Sequence, residues 1–145
     1  MFKNKSQNQS LEQFDTLIGQ GTQVNGDIKI AESLRIDGQL TGNVLSLDGH
    51  DPAVAIGMNG LIVGNVKAAR VILSGTLKGS VYATGKVEIL NGANIEGDVV
   101  YGSLYVEDGA ILRGNFHHID NYQKIDSEKI TEKIIESAKQ KRSAD

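Results

Sequence analysis

A five-residue phrase recurs six times along this 145-residue chain. Each copy reads apolar residue, any residue, Gly, small polar residue, apolar residue, and the copies are 24–28, 40–44, 62–66, 77–81, 95–99 and 112–116. The central glycines follow one another at intervals of 16, 22, 15, 18 and 17 residues. A phrase repeated in one chain direction at a near-constant period predicts a solenoid of stacked coils rather than a conventional globule.

A second apolar pair precedes most copies of the phrase and alternates around one residue, as a half-buried strand does. The pairs are Leu34/Ile36, Val54/Ile56, Val71/Leu73, Val87/Ile89 and Leu104/Val106. Asn-Gly or Asp-Gly dipeptides lie nearby and suit sharp corners, because these residues tolerate positive φ.

A hairpin protein would show mirrored patterns on the two sides of each turn, whereas this pattern repeats without reversal. A period of about 17 residues fits three short strands and three corners per coil. We therefore predict an all-β chain that forms a single parallel β-helix of about six coils.

The interval of 22 residues between Gly42 and Gly64 is too long for one coil. The excess lies at residues 48–52 and includes Pro52, the single proline of the chain. We predict a surface loop that bulges from a corner, where a missing N–H does no harm. A binding loop and a tolerated insertion remain the two interpretations, and the second is favoured because solenoid loops accept extra residues easily.

The glycines set the boundaries of the repeat region, since all 17 lie between Gly19 and Gly114. We predict an N-terminal tail over 1–15, a β-helix domain over 16–116 and a C-terminal tail over 117–145. The N-terminal tail is polar, which predicts disorder. In the C-terminal tail, Ser127 is suited to cap a short helix, and its apolar face is Ile130, Ile134, Ile135 and Ala138. Such a short helix is marginal in isolation, so disorder and folding against a partner or the coil end both remain open.

Composition excludes several classes of protein. The chain has no cysteine, which rules out disulfides and thiolate metal sites, and its net charge of −3 gives no basic footprint for nucleic acid. It has no run of 18 apolar residues and no apolar stretch of the kind found in secretory signals, so we predict a cytoplasmic protein.

No set of residues predicts catalysis or a cofactor. The chain lacks the phosphate-binding loop G-x-x-x-x-G-K-[ST] and the nucleophile elbow G-x-S-x-G. His117 and His118 are neighbours on a predicted strand and should face opposite sides, so they do not easily share a metal ion. We predict no catalytic, cofactor or metal site and no nucleotide.

The two ends of a coil stack expose unpaired backbone groups and a cross-section of the apolar core. Soluble solenoids usually cover them with atypical polar repeats. Here the first phrase, with Val24 and Ile28, and the last phrase, with Leu112 and Phe116, both keep the apolar pattern. Phe116 replaces the Val or Ile of the other copies, and it is interpreted either as a core plug or as an apolar anchor between stacked subunits. End-to-end stacking is the physical expectation for an uncapped rod, with filament polarity left open.

The chain resembles the bactofilins, a family of bacterial cytoskeletal proteins. The resemblance covers roughly residues 14–116 and is carried by TLIG at 16–19, GT at 21–22, VNGDI at 24–28, LRIDG at 34–38 and LTGNV at 40–44, followed by the remaining repeats. It implies a right-handed β-helix that self-assembles without nucleotide into filaments that have no polarity (their two ends are alike), or into bundles or sheets. It also implies a scaffold role in cell shape or in positioning cell-wall enzymes, and it supports the anchor interpretation of Phe116.

The resemblance further implies a membrane-targeting peptide, to which Met1, Phe2, Lys3 and Lys5 are similar. One Phe and one Met contribute about 2–4 kcal/mol when buried, and each Lys adds about 1 kcal/mol at an anionic surface. Many copies in a filament would make this weak contact firm. The expected location is therefore the cytoskeleton, peripheral to the inner face of the cytoplasmic membrane.

Two other functions remain as alternatives. One is an acyltransferase or carbonic anhydrase of the left-handed β-helix type, for which His50 is the sole candidate histidine inside the coils. Its stricter six-residue repeat does not fit the irregular spacing found here. The other is an adaptor that binds partners through a coil face without polymerising.

Overall fold

The computed structural model describes residues 14–121, which form a β-solenoid of six coils with three short strands in each. The strands are β1 (Thr16–Ile18), β2 (Gln23–Asn25), β3 (Ile28–Ile30), β4 (Leu34–Ile36), β5 (Gln39–Thr41), β6 (Val44–Ser46), β7 (Ala53–Ile56), β8 (Leu61–Val63), β9 (Val66–Ala68), β10 (Arg70–Leu73), β11 (Thr76–Lys78), β12 (Val81–Ala83), β13 (Lys86–Ile89), β14 (Asn94–Glu96), β15 (Val99–Tyr101), β16 (Ser103–Val106), β17 (Ile111–Arg113) and β18 (Phe116–His118). A 3-10 turn at Ile119–Asn121 follows the last strand. The predicted all-β solenoid of about six coils is confirmed.

Each coil contributes one strand to each of three parallel sheets. Sheet A has the order β1-β4-β7-β10-β13-β16, sheet B the order β2-β5-β8-β11-β14-β17, and sheet C the order β3-β6-β9-β12-β15-β18. The pairing is in register, so equivalent positions of the phrase lie directly above one another, as in Leu40↔Ile62 of sheet B and Val44↔Val66 of sheet C. Stacking of like on like follows from the repeat, because each copy places the same residue type at the same corner or strand.

The core is a narrow column of aliphatic side chains enclosed by the three sheets. Leu34 and Ile36 of sheet A, Leu40 and Ile62 of sheet B, and Val44 of sheet C are completely buried. All belong to the strand pairs or phrases identified in the sequence. Along most strands of sheets A and B, buried residues alternate with more exposed ones, which is the period-2 pattern of a sheet with one buried face.

The phrase glycines form a column of their own along one corner of the solenoid. All six have positive φ, from 127° at Gly26 to 155° at Gly64. A Cβ atom at Gly79 would clash with the carbonyl oxygen of Gly64 one coil away, and the same clash recurs at each phrase glycine from Gly42 to Gly114. Glycine is therefore required at this corner both by its φ and by the close approach of the neighbouring backbone.

The long interval is a surface loop, as predicted. Residues 47–52 lie between β6 and β7 without strand structure, and Asp48 to Asp51 are exposed. Pro52 is buried at the end of the loop, where its carbonyl oxygen accepts hydrogen bonds from Ala69 (3.1 Å) and Arg70 (3.4 Å). The missing N–H of proline thus leaves this pairing intact.

Candidate functional site: the two ends of the solenoid

The edges of all three sheets fall in the first and last coils. Within residues 14–121, β1, β2 and β3 pair with a strand of coil two alone, and β16, β17 and β18 pair with a strand of coil five alone. Each end of the solenoid therefore presents three short edge strands. Edge strands offer backbone N–H and C=O groups to another chain unless something blocks them.

Among residues 14–121, the apolar core reaches these ends without a polar cap. In the column of sheet B, Leu40, Ile62, Leu77 and Ile95 are all completely buried. The residues that end this column, Val24 in coil one and Leu112 in coil six, are half-buried and pack against the core from one side. In the column of sheet C, Ile28 is likewise half-buried. The described coils therefore enclose the core completely in the middle of the stack but not at its two ends.

Phe116 is an exposed aromatic side chain at an inward position of the last coil. It occupies the phrase position held by Val44, Val66, Val81 and Val99, which are at most 1% exposed, yet it is 38% exposed itself. Its ring packs edge-on against Tyr101 in the coil below, with ring centroids 6.3 Å apart, and Tyr101 makes a similar contact with His118 at 5.6 Å. The C-terminal end is therefore aromatic, whereas Val24 and Ile28 make the N-terminal end aliphatic.

The four residues predicted to form a subunit interface consequently lie in two pairs. Leu112 and Phe116 belong to coil six, and Val24 and Ile28 belong to coil one, at the opposite end of the stack. The predicted membrane peptide, with Met1, Phe2, Lys3 and Lys5, lies outside the described residues.

A ladder of hydrogen bonds runs beside the glycine column and was missed in the sequence. The residue after each of the first five phrase glycines accepts, through its side-chain oxygen, a hydrogen bond from the backbone N–H of the equivalent residue one coil later. The bonds are Asn43 N–H to Asp27 Oδ1 (3.0 Å), Asn65 N–H to Asn43 Oδ1 (2.9 Å), Ser80 N–H to Asn65 Oδ1 (2.8 Å), Asp98 N–H to Ser80 Oγ (3.3 Å) and Asn115 N–H to Asp98 Oδ1 (3.0 Å). The signal was the exclusive use of Asp, Asn or Ser at this position in all six copies.

This ladder has a direction and therefore ends differently at the two ends. In coil six, the side chain of Asn115 is exposed and accepts no hydrogen bond within the described chain. The side chain of Asn65, in contrast, is buried between its neighbours in coils two and four. The last rung thus presents an amide group to whatever lies beyond the end.

The titratable residues form no reactive cluster in the part of the chain that the structure describes. Among residues 14–121 there is no group of three or more His, Cys, Asp or Glu side chains able to hold a metal ion. His117 is in register with Val100 on the outside of sheet C, and His118 is in register with Tyr101 on its inside. The two histidines therefore face opposite sides, as predicted. No helix within the same residues is long and apolar enough to cross a membrane.

Comparison with known proteins agrees with this architecture. Residues 16–117 match the family model of the bactofilins, described as polymer-forming cytoskeletal proteins. The chain is 25% identical to bactofilin BacO of Myxococcus xanthus strain DK1622 over 101 residues, which are 70% of this chain and 77% of that protein. It is 27% identical to bactofilin BacP of the same strain over 100 residues, which are 69% of this chain and 40% of BacP. No solved structure gives a significant match.

Proposed function

Because the chain belongs to the bactofilin family of polymer-forming cytoskeletal proteins, we propose that it is a structural polymer whose subunits join end to end through their open coils. The observation that carries this proposal is the core that residues 14–121 leave uncovered at both ends, where Val24, Ile28, Leu112 and Phe116 are half-buried or exposed. Stacking one solenoid on another would bury these side chains and would extend all three sheets across the junction. No nucleotide takes part, because the contact needs apolar burial and strand pairing alone.

The junction would use the same two kinds of contact that join the coils of one chain, namely strand pairing and burial of apolar side chains. Addition of a strand to an exposed sheet edge is a common mode of protein recognition, in which backbone hydrogen bonds supply affinity and side-chain pockets supply specificity. Here three edge strands act together at each end. The family resemblance implies filaments without polarity, in which like ends meet through a two-fold interface. In such a filament, Phe116 would contact Phe116 of another copy at every second junction.

Electron microscopy of the purified full chain, in ordinary salt and without nucleotide, tests the proposal. The native chain should form filaments. Phe116→Arg should give short or monomeric species, because the substitution buries an unpaired charge in a desolvated contact. The matched control is Ile111→Arg, since Ile111 belongs to the same coil, is 50% exposed and projects from the outer face of sheet B.

Three results would contradict all or part of this proposal. A native chain that stays monomeric at micromolar concentration would favour an adaptor that does not polymerise. Filaments that are unchanged by Phe116→Arg would make Phe116 a core plug. Equal loss of filaments in both arginine variants would indicate a nonspecific effect of the added charge.

We further propose that the polymer lies against the inner face of the cytoplasmic membrane, held by the peptide at Met1, Phe2, Lys3 and Lys5. The support is the similarity of this peptide to the membrane-targeting peptides of the family. Each copy binds weakly, and the filament binds firmly by avidity. A variant with Phe2→Ser, Lys3→Gln and Lys5→Gln should still form filaments but should no longer sediment with anionic phospholipid vesicles. Equal sedimentation of both chains would remove the membrane proposal and leave the polymer proposal intact.

The cellular role that we propose is a cytoskeletal scaffold that supports cell shape or positions cell-wall enzymes. The family assignment supports the scaffold part of this role. The solenoid also offers long, regular lateral faces, which remain accessible when subunits join through their ends. A morphogenetic protein or a cell-wall enzyme is the class of partner expected on those faces.

A further inference from the structure

The outer face of sheet C carries an apolar strip that the repeat does not require. Six outward positions lie in register on this face: Lys29, Leu45, Lys67, Tyr82, Val100 and His117. Leu45, Tyr82 and Val100 form a hydrophobic cluster separate from the core and are only 6–8% exposed. In the middle coils of the other sheets, the outward apolar residues Ile72 of sheet A and Leu61 and Val63 of sheet B are instead partly exposed. Strands that are apolar on both faces are typical of sheets covered on both sides.

The described chain ends against this strip. After β18, the chain turns at Ile119–Asn121, and Ile119 packs against the Leu45, Tyr82 and Val100 cluster. Residues 122–145 therefore begin at the coil-six end of the same face. Residues 122–126 can span up to about 17 Å when extended, which is enough to turn the chain back along the solenoid.

The sequence that follows has the length and pattern needed to cover the strip. The predicted helix over 127–138 would be about 18 Å long, and the strip from Val100 to Leu45 spans three coil steps, or about 14 Å. Ile130, Ile134 and Ala138 recur every four residues and would lie along one face. A helix this short is marginal in water without packing, so it needs an apolar surface in order to fold.

Charges favour one direction for the helix. At the far end of the strip, the loop at residues 47–52 forms a cleft of about 190 Å³ with sheet C, which is lined by Asp48, Asp51 and Tyr82 among other residues. Asp48 and Asp51 are exposed there. The C-terminal end of the predicted helix is followed by Lys139, Lys141 and Arg142. A helix running from coil six towards coil two would bring these cations to the acidic loop, and cations at a helix C-terminus are themselves stabilising.

We propose that residues 127–138 pack as a helix along the outer face of sheet C of the same chain, from coil six towards coil two, with Lys139, Lys141 and Arg142 following at its C-terminal end. Ile130, Ile134 and Ala138 cover the apolar strip, and the basic end of the helix meets the loop at residues 47–52. In this arrangement the inserted loop has a role, because its acidic side chains face the basic end of the helix. It uses a lateral face and leaves both ends of the solenoid open, so it is independent of the proposed polymerisation.

Crosslinking of the full chain tests the position and direction of the helix. Because the chain has no cysteine, engineered pairs report cleanly. With a short bis-maleimide, Val100→Cys with Ile130→Cys should crosslink within one chain about tenfold more efficiently than Val100→Cys with Ala138→Cys, since proximity sets the effective concentration. Leu45→Cys with Ala138→Cys should also crosslink efficiently. A mixture of isotopically light and heavy chains, analysed by mass spectrometry, separates crosslinks within one chain from crosslinks between chains.

Two outcomes of this experiment would overturn the proposal. Crosslinks found solely between different chains would assign the strip to a second copy. Equal crosslinking of Ile130→Cys and Ala138→Cys to Val100→Cys would show that the segment has no fixed position on the face.

A thiol-labelling experiment distinguishes stable packing of the helix on the strip from a transient encounter that the crosslinker has trapped. In the full chain carrying Val100→Cys, addition of Ile130→Asp and Ile134→Asp should raise the labelling rate about tenfold, because the cover over the strip then opens more often. The control is Ile72→Cys, which lies in register with Glu88 on the outer face of sheet A and should label at an unchanged rate. A labelling rate at position 100 that does not respond to the aspartates would also overturn the proposal.

Discussion

The middle coils and the end coils of this solenoid use the same phrase in different surroundings. Leu77 in coil four is completely buried, whereas Leu112, at the same phrase position in coil six, is half-buried. Val81 is 1% exposed, whereas Phe116, its equivalent in coil six, is 38% exposed. In a solenoid each repeat contacts its neighbours alone. The apolar residues of the phrase are therefore fully buried only when another coil lies on each side. An end coil needs a cap or another molecule to bury them.

The glycine column provides the sharpest test of this difference. Gly79→Ala should destabilise the unassembled chain by more than about 4 kcal/mol, because its Cβ would clash with the Gly64 carbonyl and force two coils apart. Gly26→Ala should cost about 1–3 kcal/mol, since a Cβ at Gly26 meets no atom within 4 Å and the positive φ is the sole strain. Urea denaturation in the Phe116→Arg background measures both losses without interference from assembly. Equal losses would mean that backbone strain, and not the close approach of coils, makes glycine necessary.

In the polar ladder, a substitution in a middle coil should also destabilise the chain more than one in an end coil, but by a smaller free energy. Asn65→Ala removes the acceptor for Ser80 N–H, and an unsatisfied N–H in this part-buried position costs about 1–3 kcal/mol. Asn115→Ala removes a side chain that accepts no hydrogen bond within the described chain, so its cost should stay within about 0.5 kcal/mol. Thermal unfolding of the two variants in the Phe116→Arg background gives the comparison. A large loss for Asn115→Ala would show that the last rung is already occupied in the single subunit.

The repeated features were predictable because the chain carries several copies of the repeat that can be compared with one another. The phrase glycines, the inward pairs such as Val71 and Leu73, and the loop between Gly42 and Gly64 all follow from comparing copies within one chain. The period-2 pattern identified the inward face of sheets A and B, where polar residues alternate with apolar ones. The open ends followed from the absence of a polar copy at either terminus of the repeat.

The features that were missed depend on contacts between coils or on a single face. The small polar residue after each glycine was noted as part of the phrase, yet its hydrogen bond to the next coil appears only when Asn43 and Asn65 are stacked in register. The outer strip was missed because Tyr82 and Val100 lie within continuous apolar runs, which do not indicate how many faces are buried. Where the residues on both sides of a strand are apolar, periodicity alone does not separate the core from a second buried surface.

Two outward-facing tyrosines extend the comparison of middle and end coils to pH. Burial raises the pKa of Tyr82 in coil four above its ordinary value of 10.0, whereas Tyr105 in coil six is exposed. Well below pH 10.0 the Tyr82 hydroxyl is protonated in both the folded and the unfolded chain, so its contribution to stability is constant. Above that pH the unfolded chain loses the proton first, and the free energy of unfolding falls as pH rises towards the folded pKa, by at most about 1.4 kcal/mol per pH unit.

Tyr82→Phe should therefore reduce the alkaline loss of stability more than Tyr105→Phe does, as measured by urea denaturation between about pH 9 and pH 11. If both phenylalanine variants changed the slope equally, Tyr82 would be no more shielded from solvent than a tyrosine at the open end.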